Sequence, residues 1–268
     1  LQQLTTSRQP MFEFLDRFMP GILESLLPRA SEFAIQIDVL FDVITILVGF
    51  WFILVLGYFF YLVFRYRHRE GHKAEYITGE THRQKQAIEI PHFLILAGDI
   101  VIIIPTFVVW YNVKIEVPPP DEEVRIVAQQ WAWTFYHAGE DEILGTDDDI
   151  VSINELHVKE NTQYTYNLES RDVMHSFSVP VFRLKQDAVP GRVITGHFKP
   201  ILTGEWDIQC AEMCGVAHGI MGARIFIKSE AEHKSWLAAN TPIIREESLL
   251  AATNEDEITE LKEDKNNG

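Results

Sequence analysis

An uncharged apolar segment near the N-terminus constrains the fold of this chain more than any other feature. Residues 43–64 read VITILVGFWFILVLGYFFYLVF, without Asp, Glu, Lys or Arg. As an α-helix, 22 such residues extend about 33 Å, which is enough to cross a hydrocarbon layer of about 30 Å. The segment ends in the basic cluster Arg65, Arg67, His68 and Arg69, and no small-residue cleavage site follows. We therefore expect a membrane-spanning helix that stays in the mature protein.

A second apolar stretch covers about residues 87–113. Glu89, Pro91, Asp99 and Pro105 interrupt it, but it lacks the polar residue in every turn that an exposed helix of a soluble protein shows. We interpret it as a second span. The connection between the spans, residues 65–87, contains six Lys and Arg residues. By the positive-inside rule this connection lies in the cytoplasm and both termini lie outside.

The composition changes after residue 117. Three prolines at 118–120 form a stiff spacer that cannot continue a helix. Residues 121–268 contain 27 acids and 13 bases, and so carry nearly all the excess charge of a chain whose formal net charge is −16. This charge argues against nucleic acid as a partner.

Short alternating or β-branched segments follow, separated by Gly, Pro, Asp and Asn clusters. This pattern predicts an antiparallel sandwich or barrel, with strands at 124–127, 151–158, 163–168, 193–198, 204–209 and 223–227 and a short helix at 230–239. The expected fold class is a membrane α-hairpin plus an all-β domain. The expected parts are an extracytoplasmic N-terminal segment (1–37), a two-helix hairpin (38–117), a β domain (118–240) and an acidic C-terminal tail (241–268).

The motif that carries chemistry is CAEMCGVAHGIM at residues 210–221, that is C-x3-C-x3-H-x2-M, with His175 upstream in DVMHSF. Two thiols, two imidazoles and a thioether favour copper over magnesium, calcium or manganese. Thiolates that bridge two copper ions would use both cysteines of the chain. Other interpretations stay open: Cys210 and Cys214 could form a disulfide, and the histidines and Met221 could be core residues. Zinc would leave Met221 unused.

Several segments together resemble subunit II of haem-copper cytochrome c oxidases. They are the copper loop CAEMCGVAHGIM, RDVMHSFSVP, FRLKQDAVPGR, QQWAWTF and the two-helix hairpin, in order over residues 38–240. The resemblance implies a cupredoxin-like Greek-key β-barrel that holds the binuclear copper centre CuA. In this family pattern Cys210 and Cys214 bridge the coppers, and His175 and His218 each complete one ion. Met221 is the weak ligand of one copper, and the main-chain carbonyl of Glu212 is a ligand of the other.

The same resemblance implies roles for three more groups. The Glu212 carboxylate would bind magnesium at the boundary with subunit I, the alternative being a solvent-exposed loop residue. Trp131 would be the exposed tryptophan at which electrons enter, whereas Trp133 is a core aromatic. Glu89 would lie near the entrance of the proton pathway into subunit I, although the surrounding IEIPHF departs from the usual family sequence. Alternatively, Glu89 anchors the start of the second helix. Asp99 matches nothing in the family.

Eight acids could form a negative surface that attracts a positively charged cytochrome c by long-range steering. The alternative is that they belong to solvated loops. They are Glu140, Asp141, Glu142, Asp147, Asp148, Asp149, Glu169 and Asp172.

The expected function is that of subunit II of a proton-pumping cytochrome c oxidase. Such a subunit accepts single electrons from cytochrome c, or another haem c donor, at CuA and passes them to the haem of subunit I, where oxygen is reduced to water. The expected cofactors are two copper ions and a magnesium ion shared with subunit I. The expected partners are subunits I and III, the haem c donor and membrane lipid. The expected location is a bacterial inner membrane, with the copper domain in the periplasm.

Three other functions fit less well. A quinol oxidase subunit has lost the copper ligands, a nitrous-oxide reductase domain lacks the hairpin, and a copper carrier explains neither the VPGR segment nor Glu212. No cysteine follows Cys214, so the chain has no C-x-x-C-H site for an appended haem c. The electron donor is therefore expected to be a separate protein or another subunit.

Overall fold

The computed structural model of the chain describes residues 10–71, 73, 76–139 and 141–242. Their contacts divide into two units. One contains Phe33–Val117 and the segment that ends at Arg29, and the other contains Ala30–Glu32 and the chain from Pro118 onward. Glu140 and all but the first two residues of the predicted acidic tail lie outside the described residues.

The first unit is helical. It contains α1 (Pro10–Asp16), α2 (Ala34–Arg65) and α3 (His82–Trp110), and a π-helical turn at Tyr111–Ile115 follows α3. Both α2 and α3 are long and apolar enough to cross a membrane. Most of their large apolar side chains are exposed in the single chain, which is what helices that face lipid or other subunits require.

Both long helices begin earlier than predicted. α2 starts at Ala34, within the predicted N-terminal segment. α3 starts at His82 because Thr81 and Gln84 form a capping box: the Gln84 amide donates to Thr81 Oγ1 at 3.4 Å, and the Thr81 amide donates to Gln84 Oε1 at 3.3 Å. Pro91 and Pro105 are accommodated within α3. The predicted hairpin is therefore present, with longer helices than the apolar pattern alone indicates.

The second unit is a β domain of two five-stranded sheets. The first sheet has the order β3-β2-β1-β5-β8 and the second β4-β10-β9-β6-β7. The strands are β1 Glu122–Gln129, β2 Ala132–His137, β3 Ile150–Ile153, β4 Glu155–Lys159, β5 Tyr164–Ser170, β6 His175–Val179, β7 Leu184–Ala188, β8 Ile194–Phe198, β9 Gly204–Cys210 and β10 Gly222–Lys228. The fold class predicted from the sequence, a helical hairpin followed by an all-β domain of cupredoxin type, is confirmed.

Aromatic side chains join the two sheets. Trp133 of β2 and Tyr166 of β5 pack against Phe177 of β6, with ring centroids 5.6 and 6.1 Å apart. All three side chains are fully buried. Burial of an aromatic ring of this size stabilises by roughly 2–3 kcal/mol, so this cluster fixes the sheets from which the candidate site is built.

The expectation of a purely antiparallel sheet is wrong. β1 pairs with β5, and β4 with β10, in parallel. The segment predicted as one strand, 151–158, breaks at Asn154, whose φ is 59° and whose Oδ1 accepts the Trp133 amide at 2.9 Å. The chain crosses there from β3 in one sheet to β4 in the other, which makes parallel neighbours possible.

A C-terminal helix, α4 (Glu230–Asn240), packs against β4 and β10. Its Trp236 lies among histidines of three elements: His137 of β2, His157 of β4 and His233 of α4 itself. The His157 ring stacks between Trp236 and Phe226, at centroid distances of 4.2 and 4.7 Å. All three histidines are buried. We call this group the histidine cluster.

Candidate metal centre

Two neighbouring strands and one loop position the candidate ligands. His175 is the first residue of β6 and Cys210 the last of β9, and these strands run antiparallel with Phe177 opposite Cys210. Cys214 and His218 lie in the loop between β9 and β10. The ends of this loop are tied together, because the Cys210 amide donates to the Met221 carbonyl at 3.1 Å. The paired strands β9 and β10 therefore hold both ends of the ligand loop.

The six predicted donors converge at these strand ends. The two Sγ atoms lie 3.7 Å apart, and both cysteines are free, so the pair is not a disulfide. Other contacts to the sulfur atoms are Cys210 Sγ–His175 Nδ1 at 3.9 Å, Cys214 Sγ–His218 Nδ1 at 3.6 Å, Cys214 Sγ–Met221 Sδ at 3.6 Å and Cys210 Sγ–Glu212 O at 3.3 Å. His175 Nδ1 lies 3.1 Å from Met221 Sδ. Soft sulfur and imidazole donors at this spacing fit copper ions.

Three of the side-chain donors are buried, whereas Cys210 and His218 are half-buried. His175 is fully buried, and Cys214 and Met221 are each about 2% exposed. Burial, together with the hydrogen bond from Cys210, raises the pKa of the Cys214 thiol to about 11. The thiol is therefore protonated at neutral pH, and a metal ion must displace that proton.

Asp172 supports the His175 imidazole. Its carboxylate lies 2.8 Å from His175 Nε2 and accepts the amides of Gln130 and Val173, each at 2.7 Å. Burial alone would raise the pKa of this carboxyl, but the hydrogen bonds from His175, Gln130 and Val173 outweigh it and hold the pKa below its ordinary value. Because an ionised carboxylate only accepts, Nε2 carries the proton and Nδ1 faces the sulfur atoms.

Trp131 and Trp133 occupy different environments. Trp131 is 38% exposed, and its Nε1 donates to the Cys214 carbonyl at 3.3 Å. The Gln130 side chain donates to the same carbonyl at 2.8 Å. Trp133 is fully buried, as predicted, with its ring edge towards His175 at 6.2 Å. The contact between Gln130 and Cys214 joins residues 84 positions apart, and no sequence pattern indicates it.

The ligand loop exposes three apolar side chains, which we call the apolar rim. Met213, Val216 and Ile220 are 72, 96 and 84% exposed. Sequence analysis missed this surface because it considered only acids as docking groups. Exposed apolar side chains beside a candidate metal centre suit contact with another protein.

The predicted acids do not form one surface with Trp131. The loop that contains Asp141, Glu142 and Asp147–Asp149 follows the C-terminal end of β2, whereas Trp131 precedes its first residue. The six residues of β2 separate the two ends by about 17 Å. Only Glu169 and Asp172 lie towards the metal end of the domain, where Glu169 pairs with Arg125 and Asp172 supports His175.

Two predicted carboxylates stand apart from the sulfur donors. Glu89 lies in the third turn of α3, and its side chain is exposed on the helical unit, as is that of Asp99. Glu212 is half-buried in the ligand loop, and its main-chain oxygen accepts from Cys210 Sγ. The structure thus brings the main-chain oxygen of Glu212 into the site.

Comparison with known proteins identifies relatives of both units. The family model described as cytochrome c oxidase subunit II, periplasmic domain, matches residues 123–229. An alternative cytochrome c oxidase subunit 2 from Bradyrhizobium diazoefficiens is 34% identical over 70% of this chain and 74% of the relative. A cytochrome c oxidase subunit 2 from Thermostichus vulcanus is 40% identical over 46% of this chain and 35% of the relative.

A solved structure is also similar. The crystal structure of the periplasmic domain of subunit II of cytochrome oxidase from Bradyrhizobium japonicum has 26% identity and a TM-score of 0.42, and the match covers 47% of this chain and 96% of that one. The relative from Bradyrhizobium diazoefficiens aligns over most of both chains. On that alignment and the family match, this chain belongs to the cytochrome c oxidase subunit 2 family, whose members are parts of haem-copper oxidases and hence of oxidoreductases.

Proposed function

We propose that this chain accepts single electrons from a cytochrome c, or another haem c protein, at a binuclear copper centre and passes them to the haem of subunit I. The observation that carries the proposal is the convergence of two thiols, two imidazoles, a thioether and a main-chain carbonyl at one end of the second sheet. Cys210 and Cys214 would hold the copper with both thiolates, which is supported by Sγ atoms 3.7 Å apart and by a histidine Nδ1 within 3.9 Å of each sulfur atom.

Copper held in this way supplies a carrier that changes charge by one electron. The contribution of the chain is to keep the donors still: β6 and β9 fix His175 and Cys210, the closed loop fixes Cys214 and Met221, and Asp172 orients the imidazole. Donors that move little between oxidation states make electron transfer fast. Burial of His175, Cys214 and Met221 keeps water away from these three donors.

Electron entry is proposed at Trp131. It is the partly exposed aromatic residue in hydrogen-bond contact with the carbonyl of Cys214. The apolar rim of Met213, Val216 and Ile220 provides the surface on which a cytochrome would rest. Acids of the 141–149 loop lie further from Trp131 than the Debye length, which is about 8 Å at physiological salt. Their attraction for the cytochrome is therefore largely screened at physiological salt, and their contribution is to the association rate at low ionic strength.

The remaining assignments concern the whole complex. The Glu212 carboxylate suits a magnesium ion shared with subunit I, since one or two protein carboxylates plus waters are typical of such sites. Glu89, exposed on α3, is proposed to face subunit I near a proton uptake route. We place the residue 65–87 connection in the cytoplasm and the β domain in the periplasm of a bacterial inner membrane, with subunits I and III as neighbours.

Metal analysis of the intact complex tests the copper proposal. We expect two copper ions in this chain and the spectrum of a mixed-valence pair. Met221→Leu keeps the side-chain volume nearly constant but removes a donor, so it should alter the absorption and the potential. Met213→Leu is the matched control, because Met213 lies in the same loop but is 72% exposed, and it should alter neither.

Other outcomes would contradict the proposal. One copper ion, or stoichiometric zinc, would exclude a binuclear copper centre. Identical absorption and potential in the Met221→Leu and Met213→Leu proteins would show that Met221 serves only as packing.

A further inference from the structure

One main-chain carbonyl receives two side-chain N–H donors from a neighbouring segment. The oxygen of Cys214 accepts from Gln130 Nε2 at 2.8 Å and from Trp131 Nε1 at 3.3 Å. A carbonyl oxygen has two lone pairs, so both bonds can form together. The Gln130 bond is the shorter of the two. It fixes the position of the carbonyl that the exposed indole approaches.

Gly215 makes this double contact possible. A Cβ atom at residue 215 would lie 3.0 Å from Gln130 Nε2 and 3.3 Å from Trp131 Nε1. The φ of Gly215 is +123°, a conformation that other residues rarely adopt. The loop therefore presents bare backbone at the point where Gln130 and Trp131 lie against it.

Gln130 is also tied at its main chain. Its amide donates to Asp172 Oδ2 at 2.7 Å, and Oδ1 of the same carboxylate lies 2.8 Å from Nε2 of His175. Gln130 thus connects the residue that orients one histidine with the carbonyl of one cysteine. The side chain of Trp131, the next residue, donates one longer hydrogen bond to the loop, at 3.3 Å, and its ring lies against Gly215.

From these contacts we propose that Gln130 is a positioning residue for electron entry: it holds the Trp131 indole against the Cys214 carbonyl. The inference rests on the proposed function of the copper centre. Electronic coupling falls steeply with distance, and functional groups must be held within about 0.5 Å of their working geometry. Without the Gln130 donor, the Cys214 carbonyl would keep the longer Trp131 bond, and the indole would be held less firmly against the loop.

The test is Gln130→Met in the full oxidase complex. Methionine has a similar length and no N–H donor. Gln129→Met is the matched control, since the side chain of Gln129 accepts from Arg171 Nη1 at 2.9 Å. Two properties are measured: the rate of copper reduction within the docked cytochrome complex, and the hydrogen-bond-sensitive Raman band of the Trp131 indole N–H. Trp131→Phe identifies that band by its loss.

We expect Gln130→Met to slow electron entry about fivefold, the population change expected for the loss of one ordinary hydrogen bond. The Trp131 N–H band should shift towards a free indole, while cytochrome affinity and copper content stay unchanged. Gln129→Met should match the unmodified protein in all of these. If Gln130→Met fails to assemble, Gln130→Leu, which also lacks a donor, is measured in the same way.

Three outcomes would overturn the inference. They are an unchanged N–H band with an unchanged entry rate, a change in cytochrome affinity alone, and equal effects of the Gln129 and Gln130 substitutions. Failure of the copper proposal looks different, because it appears as the wrong metal content in the unmodified protein.

Discussion

Acidification should destabilise the β domain through the histidine cluster. Burial, together with the positive charge that neighbouring histidines carry when protonated, lowers the pKa of His137 from 6.5 to about 3. Burial and the nearby Lys228 lower the pKa of His157 to about 4, against the opposing effect of Glu155. The pKa of His233 is also lowered, by burial first, although Glu122 opposes the shift. These rings are therefore neutral in the folded domain over the whole physiological range.

The direction of this pH dependence follows from proton binding. Below pH 6.5 the unfolded chain protonates these histidines and the folded domain does not, so the free energy of unfolding falls as the pH falls. At pH 5 the loss is about 2 kcal/mol for each histidine at about 1.4 kcal/mol per pH unit, or about 4 kcal/mol for His137 and His157 together. Above pH 6.5 the two residues contribute no pH dependence.

The assay is denaturant unfolding of the detergent-solubilised full-length chain at pH 7 and pH 5, followed by tryptophan fluorescence. The control is the double substitution His137→Gln with His157→Gln, which removes both titrating rings. Carboxylates titrate in both proteins, so only the difference between their pH responses reports the cluster. We expect the unmodified chain to lose about 4 kcal/mol more than the double variant. Equal losses would refute the reasoning and mean that the histidines are protonated, or accessible to water, in the folded state.

Further substitutions test the electron and proton routes. Trp131→Ala should slow copper reduction within the docked complex and leave cytochrome affinity nearly unchanged, whereas neutralising Asp147 and Asp149 should lower only the association rate, and only at low salt. Stopped-flow reduction over a range of ionic strength separates these effects, and an effect of Trp131→Ala on affinity alone would exclude Trp131 as the entry point. Glu89→Gln should slow oxygen consumption but leave copper reduction at the unmodified rate, because it removes a titratable proton and keeps the shape; an unchanged oxygen consumption rate would mean that Glu89 only anchors α3.

The sequence predicts those parts of the molecule that depend on local pattern. Apolar length predicts α2 and α3, and the spacing of Cys210, Cys214, His218 and Met221 predicts a loop that can surround a metal. Their ends are less predictable, because the capping box at Thr81 begins α3 before the apolar stretch does. The parallel pairing of β1 with β5 is not predictable either, since it depends on the crossing at Asn154.

Long-range contacts explain what was missed at the site. The sequence groups Asp172 with the docking acids, because an acid three residues before a histidine gives no sign of the direction in which its side chain points. In the fold its carboxylate faces His175 and the Gln130 amide. The sequence predicts the acids of the 141–149 loop as part of a negative surface but not where that surface lies, and in the fold they follow the end of β2 opposite to Trp131.

The hydrogen bond that joins the two ends of the ligand loop has a consequence for protein engineering. Every side-chain donor except His175 lies within residues 210–221, and the Cys210–Met221 hydrogen bond joins the ends of this segment where β9 and β10 pair. A loop closed in this way can change in length or sequence without shifting the register of either strand. A segment from a protein that holds a single copper ion could therefore be grafted between Gln209 and Gly222. The barrel would stay the same while its redox chemistry was exchanged.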